Sequence, residues 1–328
     1  VRIAVTGSIA TDHLMNFDGR FKDSLVVDQL DKISLSFLVE DLRIHRGGTA
    51  ANIAFGMGCL GLRPILVGAV GEDFADYRSW LERHNVDCDS IRVSEVRHTA
   101  RFISTTDRTQ AQIGTFYTGA MVEGRDIELE PIAQRVGGLD LVLIGPHDPD
   151  GMARHTEECN QRGIPFAADP SQQLAFADGE LIRTLVSGAD YLLTNEYEAA
   201  LTEQKTGWSE EQILGEVKVR VTTLAEKGVR IDRLGEPPIH VAAVPAERIA
   251  NPTGVGDGFR AGFLAGIAWG LTLERSAQVG CVLAVYVLEI TGTQEYELST
   301  SGFLARFAAA YGDEAAAEVA PHVQAPRP

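Results

Sequence analysis

The chain has 328 residues with a formal net charge of −17, 45% hydrophobic and 23% charged residues. That composition is ordinary for a soluble globular protein with a large core, and no apolar run reaches the roughly 18 to 20 residues that a membrane span needs. The acidity repels polyanions, which excludes nucleic acid and anionic membrane as main partners, yet a small phosphate ligand held by backbone N–H groups stays compatible with it.

The opening VRIAVTG reads as a strand, without a basic stretch followed by an apolar one, so the expectation is a cytoplasmic protein with no signal peptide. Cys59, Cys88, Cys159 and Cys281 are scattered without a CxxC pair, which suggests buried reduced thiols. Along the chain, IAVTG, PILVGAVG, DLVLIG, IPFAADP and DYLLTN are short apolar runs, and helical patterns such as TAANIAFGMGCL and GMARHTEECNQRG alternate with them. This alternation predicts a three-layer αβα, doubly wound and mostly parallel sheet. Residues 24–46 and 97–118 break the rhythm and read as antiparallel strands, the second a hairpin turning near Asp107 and Arg108, together making a small β-sheet lid. One domain over residues 1–320 is expected, with lid segments at about 15–46 and 97–118. PHVQAPRP, 321–328, reads as a disordered tail.

Four motifs follow strands, where open sheets bind ligands. In HRGGTAANIAFGMG, Gly47 and Gly48 end a strand and permit close approach, Thr49 can cap the next helix, and Asn52 points an amide over the glycines. Asp12 could accept from two hydroxyls of the same sugar. GMGCLG, residues 56–61, matches GxGxxG but closes a helix, so it reads as packing glycines with Gly61 at the helix end. In LLTNEYEAAL, Asn195 and Glu198 share a helix face and could hold water around Mg²⁺, or be an ordinary helix cap. Thr223 through Gly228 form a turn along which a nucleotide could lie. In NPTGVGDGF, Gly254 and Gly256 turn the chain into a helix whose free N–H groups make an anion hole beside Asp257, a reasonable base for a hydroxyl attacking a phosphate. Taken alone, that motif could equally be a glycine-rich connection with an acidic helix start.

GGTAAN, NEYE, TLAEKG and NPTGVGDGF, in this order, resemble the ribokinase (PfkB carbohydrate kinase) family over nearly the whole chain, and DPSQQL with the aromatic lid is most similar to bacterial adenosine kinases. The resemblance implies a ribokinase-like fold and transfer of the ATP γ-phosphoryl group to the 5′-hydroxyl of adenosine. It implies Asp257 as catalytic base and Gly254, Val255 and Gly256 as the anion hole. Ser8, Asp12, Gly48 and Asn52 would bind the ribose, Asn195, Thr223, Ala225, Glu226, Lys227 and Gly228 the ATP, and Glu198 the Mg²⁺, with a monovalent cation such as K⁺ nearby. Three positions depart from the family: Asn251 and Ala225 stand where it usually has Asp and Gly, and Asp76 where a glycine is often found. Gln172 and Gln173 can address a purine edge. Phe102 and Phe116 are placed as cross-strand neighbours that stack on a base, or form a lid face or a dimer contact. A homodimer through the β-lid is expected. Alternatives are a sugar kinase, for which Arg43, Arg46, Arg97 and Arg101 could bind a phosphosugar, and a catalytically silent nucleoside sensor.

Overall fold

The computed structural model describes residues 1–24 and 36–324. Its central sheet has eight strands, in the spatial order Ile239–Val241, Val229–Asp232, Val219–Thr223, Tyr191–Asn195, Phe166–Ala168, Leu141–Ile144, Ile3–Thr6 and Ile65–Val67. From Ile65–Val67 to Val219–Thr223 every pairing is parallel, and the last two strands join antiparallel. Successive residues of each strand face opposite cores. Ile3, Val5, Leu141, Leu143 and Leu193 enter one, and Ala4, Val142, Ile144, Phe166 and Leu192 enter the other. A strand buried on both faces cannot show polar alternation, which explains its continuous apolar reading in the sequence.

Helices cover both faces. Thr49–Cys59, Val255–Ala268, Leu273–Leu288 and Thr300–Tyr311 lie on the first core, and Leu129–Val136, Pro149–Arg162 and Gly179–Val186 on the second. Pro149–Arg162 shows how locally these are written: Asp148 accepts from the Gly151 N–H, Pro149 opens the first turn, and Gly163 closes the helix in the left-handed region. The glycines of FRAGFLAG serve packing. A side chain at Gly262 would come within 2.7 Å of Gly280 Cα, and one at Gly266 within 2.5 Å of Ser276 Cα, so the Val255 and Leu273 helices touch backbone to backbone.

The lid is a second sheet of four strands, ordered Asp41–Gly47, Ala10–Phe17, Ala100–Asp107 and Gln112–Tyr117. Asp12 lies within the strand Ala10–Phe17, which pairs antiparallel with Asp41–Gly47 and parallel with Ala100–Asp107. Residues 25–35 of the expected antiparallel stretch 24–46 lie outside the described residues. The hairpin register places Phe102 opposite Phe116 as expected. His45, Asp12, Phe102 and Phe116 therefore stand in one row across one face of the lid.

Two further differences are local. PILVGAVG does not make one strand: Ile65–Val67 stays in the central sheet, while Ala69–Gly71 pairs with Arg92–Ser94 in a separate two-stranded sheet. Nor is the segment from residue 321 loose throughout, because Val323 is 3% exposed and Gln324 donates its N–H to Leu60 O at 3.3 Å. Residues 325–328 lie outside the described residues.

Candidate active site

Two helix starts meet at the carboxyl ends of the central strands. The first follows Gly48, whose φ of 91° is left-handed and where a Cβ would sit 2.6 Å from both Ala10 N and Ser8 O. The expected cap at Thr49 is not formed, since Thr49 is already helical. Ser8 supplies the cap from the neighbouring loop: its Oγ accepts from the Thr49 N–H at 2.9 Å and its carbonyl from the Ala50 N–H at 3.1 Å. Asn52, 7% exposed, comes one turn later.

The second helix start follows Gly254, at φ 80°. Here Asp257 lies in the first turn and its Oδ2 accepts from Asn52 Nδ2 at 2.8 Å, joining residues 205 positions apart. Burial pushes the Asp257 carboxyl up to about 7; the Asn52 hydrogen bond and Arg260 pull it down, and Asp169 and Glu198 push it further up. A carboxylate poised there suits proton transfer near neutral pH. Among the described residues, the N–H groups of Gly254, Gly256 and Asp257 have no acceptor, whereas that of Val255 reaches Pro252 O at 3.3 Å. Three free amides at a helix start can receive anionic oxygens.

Asn52 is held on its other side as well. Its Oδ1 accepts from Thr293 Oγ1 and Gln294 Nε2, both at 2.9 Å. Gln294 in turn donates to Tyr77 Oη at 2.6 Å and accepts from Trp80 Nε1 at 3.2 Å, and Tyr77 donates to Gly47 O at 2.9 Å. The acceptor that the sequence offers to sugar hydroxyls at Asn52 is thus already filled, leaving one N–H.

One turn beyond Asp257, the buried Arg260 pairs with Asp169, with Nη2–Oδ1 at 2.7 Å and Nε–Oδ2 at 2.5 Å, and lies 3.6 Å from Glu198 Oε2. Burial pushes Asp169 up to about 6, with Arg260 pulling back. Breaking such a pair leaves a buried charge uncompensated. Asn195 and Glu198 close a capping box, Glu198 N–H to Asn195 Oδ1 and Asn195 N–H to Glu198 Oε2, both at 2.8 Å. Among the described residues no group of three or more His, Cys, Asp and Glu is arranged to hold a metal ion. A divalent ion here would therefore take most of its ligands from phosphate oxygens and water, with Glu198 at its edge.

The Asp12 carboxylate has no hydrogen-bond partner among the described residues, and its Oδ2 lies over Gly47, 3.2 Å from where a Cβ there would be. Burial raises its carboxyl, with His45 opposing. Phe102 and Phe116 are 36% and 49% exposed on the same face. Arg46, Thr11 and Arg101 alternate with that row and line a cavity of about 350 Å³ on the reverse face. Gln173 Nε2 is spent on His147 O at 2.7 Å, while Gln172 is exposed. Thr223 ends its strand, Ala225 through Lys227 form a 3₁₀ turn that includes Glu226, and Ala225 takes φ 51°. Sequence reasoning missed Arg260, Asp169, Tyr77, Trp80, Thr293 and Gln294. Arg260 alone was within reach, as a charge inside the apolar run after Asp257.

A glycine-started helix with an acid in its first turn, facing a paired-glycine helix start under a β-lid, defines a phosphotransferase of the nucleoside- and sugar-kinase class, with a hydroxyl as acceptor. The chain belongs to the pfkB family carbohydrate kinases, whose family model matches residues 11–301. It is 29% identical over 300 residues to a nucleoside kinase of Methanothermobacter thermautotrophicus, covering 88% of this chain and 93% of the relative. It is 26% identical over 295 residues to a nucleoside kinase of Methanocaldococcus jannaschii, covering 89% and 92%. Among solved structures, the nucleoside kinase of Burkholderia thailandensis in complex with inosine superposes with a TM-score of 0.82 at 33% identity, covering 95% of this chain and 99% of that one. No helix among the described residues is long and apolar enough to cross a membrane.

Proposed function

We propose that the protein is a nucleoside kinase that transfers the γ-phosphoryl group of ATP to the 5′-hydroxyl of a purine nucleoside, adenosine being the favoured substrate, to give AMP and ADP in purine salvage. The observation that carries this is the placement of the Asp257 carboxylate between the free amides of its own helix start and the Asn52 amide, within a family of hydroxyl phosphotransferases. In this reading Asp257 accepts the proton of the attacking hydroxyl. The amides of Gly254, Gly256 and Asp257 receive the negative oxygens, where they are preorganised and need no rearrangement. Mg²⁺ bound with the ATP phosphates neutralises their charge. Asp12, unpartnered beside Gly47 and Gly48, accepts from the ribose hydroxyls, and Phe102 and Phe116 stack on the base from the same lid face.

Nucleotide binding is assigned to the Thr223 to Gly228 turn, with Asn195 and Glu198 toward the phosphates. A monovalent cation such as K⁺ belongs to the same proposal through the Gly254 loop. Leu42, Ile44 and Ile113, at 52%, 58% and 47% exposure on the reverse face of the lid, favour a homodimer through that sheet, which sedimentation at micromolar concentration reads directly.

Initial rates of ADP formation with adenosine, inosine, cytidine, ribose and fructose 6-phosphate test the assignment. Adenosine is expected to give the highest kcat/KM. Ribose turning over while adenosine does not would replace it with a sugar kinase, and no ADP from any acceptor would leave a nucleoside sensor.

A further inference from the structure

We propose that Gln294 is a positioning residue that fixes which end of the Asn52 amide faces Asp257, and so sets the protonation state of the base. This rests on Asp257 being the base.

The polarity of the network follows from groups that have no choice. An indole N–H only donates, so the oxygen of Gln294 must face Trp80, 3.2 Å away. The Gln294 nitrogen then points at Tyr77 Oη and Asn52 Oδ1, at 2.6 and 2.9 Å. Tyr77 sends its single proton to the Gly47 carbonyl, which only accepts, and is left to receive from Gln294. The Asn52 oxygen is thereby turned toward Gln294 and its NH₂ toward Asp257. Thr293 cannot decide the matter. Its hydroxyl has one proton for Arg46 O and Asn52 Oδ1, both at 2.9 Å, and it could accept from a reversed amide as readily as donate to the present one. Gln294 is 0% exposed, so no water competes for its amide.

The consequence is electrostatic. In the observed orientation Asn52 donates to the Asp257 carboxylate and favours its charged form; reversed, it would present an oxygen and favour the protonated form. The other groups facing Asp257 are Arg260 on its own helix, Asp169 after the Phe166–Ala168 strand, Glu198 on the Glu196–Thr206 helix, and Tyr296 from the segment that carries Gln294. Only Asn52 among them has two ends that can be exchanged. The same glutamine, through Tyr77, holds the Gly47 carbonyl where the lid strand Asp41–Gly47 ends, so the base and the end of that strand are tied to one side chain.

The test is a double-mutant cycle on the pH dependence of kcat/KM with the full-length protein. The base works deprotonated, so the rate climbs with pH and levels off above its pKa. In Gln294→Met, which keeps length and removes both hydrogen-bonding ends, the acid limb is expected to move up by about 1 unit. That costs about tenfold at the foot of the limb, and most of the loss is recovered on the alkaline plateau. In an Asn52→Leu background, which has no amide to turn, Gln294→Met is expected to move the limb no further. Gln294→Glu serves if the methionine variant does not fold. Its charge effect persists in the Asn52→Leu background, whereas the effect of turning the amide vanishes there. An unshifted limb in Gln294→Met, or the same shift with and without Asn52, overturns the proposal while leaving Asp257 as the base. Loss of all pH dependence near neutrality in the wild type would instead overturn the base assignment.

Discussion

The two sides of the cleft are built to opposite rules. On the Asp257 side a chain of directed hydrogen bonds runs from Trp80 to Gln294, Gln294 to Asn52 and Asn52 to Asp257, with the Arg260–Asp169 pair behind. On the lid side Asp12 is unpartnered among the described residues, and Phe102 and Phe116 are 36% and 49% exposed. Fixed dipoles suit a reaction whose charge develops in one place, because they need no reorganisation. Open side chains on a thin sheet suit a substrate that must enter and be covered. In the proposed function the chemistry falls to the Asp257 side and the choice of acceptor to the lid.

The largest effect should come from the rigid side. Asp257→Asn keeps size and one hydrogen-bonding end but removes the proposed base, and kcat is expected to fall by about 10² to 10⁴ with nucleoside affinity largely kept. Steady-state turnover and titration calorimetry on the same preparation separate the two quantities. A variant with near-normal kcat would break the comparison, because the directed network would then converge on a residue the reaction does not use. The variant should also lose the acid limb that the wild-type carboxyl, pushed up to about 7, would impose.

The loose side should answer with selectivity instead. Phe102→Ala removes half of the aromatic pair and is expected to lower kcat/KM for adenosine about two- to thirteenfold, from an aromatic contact of about 0.5–1.5 kcal/mol. Turnover of ribose, which has no base to stack, should be unchanged. Equal loss with both acceptors would assign Phe102 to the lid's own packing. Competition assays with the two acceptors in one tube give the ratio directly.

How much of this was legible in the sequence divides along the same line. Glycines and strand ends are local, so GGTAAN and NPTGVGDG announce two helix starts, and Phe102 with Phe116 can be paired from the hairpin register alone. That the two helix starts touch, through a hydrogen bond spanning 205 positions, is a property of the assembled sheet and its helix packing. Gln294 and Tyr77 lie 217 positions apart and neither stands in a glycine motif, so no spacing could flag them. Ser8 and Thr49 illustrate a smaller miss: a cap was expected from the residue beside the helix, and the fold brought one from a strand-end loop 41 positions earlier. The strand that carries Asp12, ATDHLMNF, shows no clean alternation in the sequence because it is only partly buried.

A third position asks whether the rigid rule extends to the nucleotide side. Where the family usually carries glycine, Ala225 is held at φ 51°, a region that costs a non-glycine residue about 1–2 kcal/mol. The turn keeps that conformation because its own backbone closes it, with Leu224 N–H to Gly228 O at 2.7 Å and Gly228 N–H to Ala225 O at 3.0 Å. Ala225→Gly relieves the strain, while the looser unfolded chain takes back about 0.4–1 kcal/mol, so a net gain of about 0.5 kcal/mol is expected. For a chain of 328 residues that is a rise in Tm of about 0.7 °C. If the turn is already in its working shape, the KM for ATP should stay within about twofold, because substitution changes the cost of the shape and not the shape itself. A Tm that falls, or an ATP KM that drops much further, would mean that alanine distorts this turn, and the preorganisation seen around Asp257 would then stop short of the nucleotide.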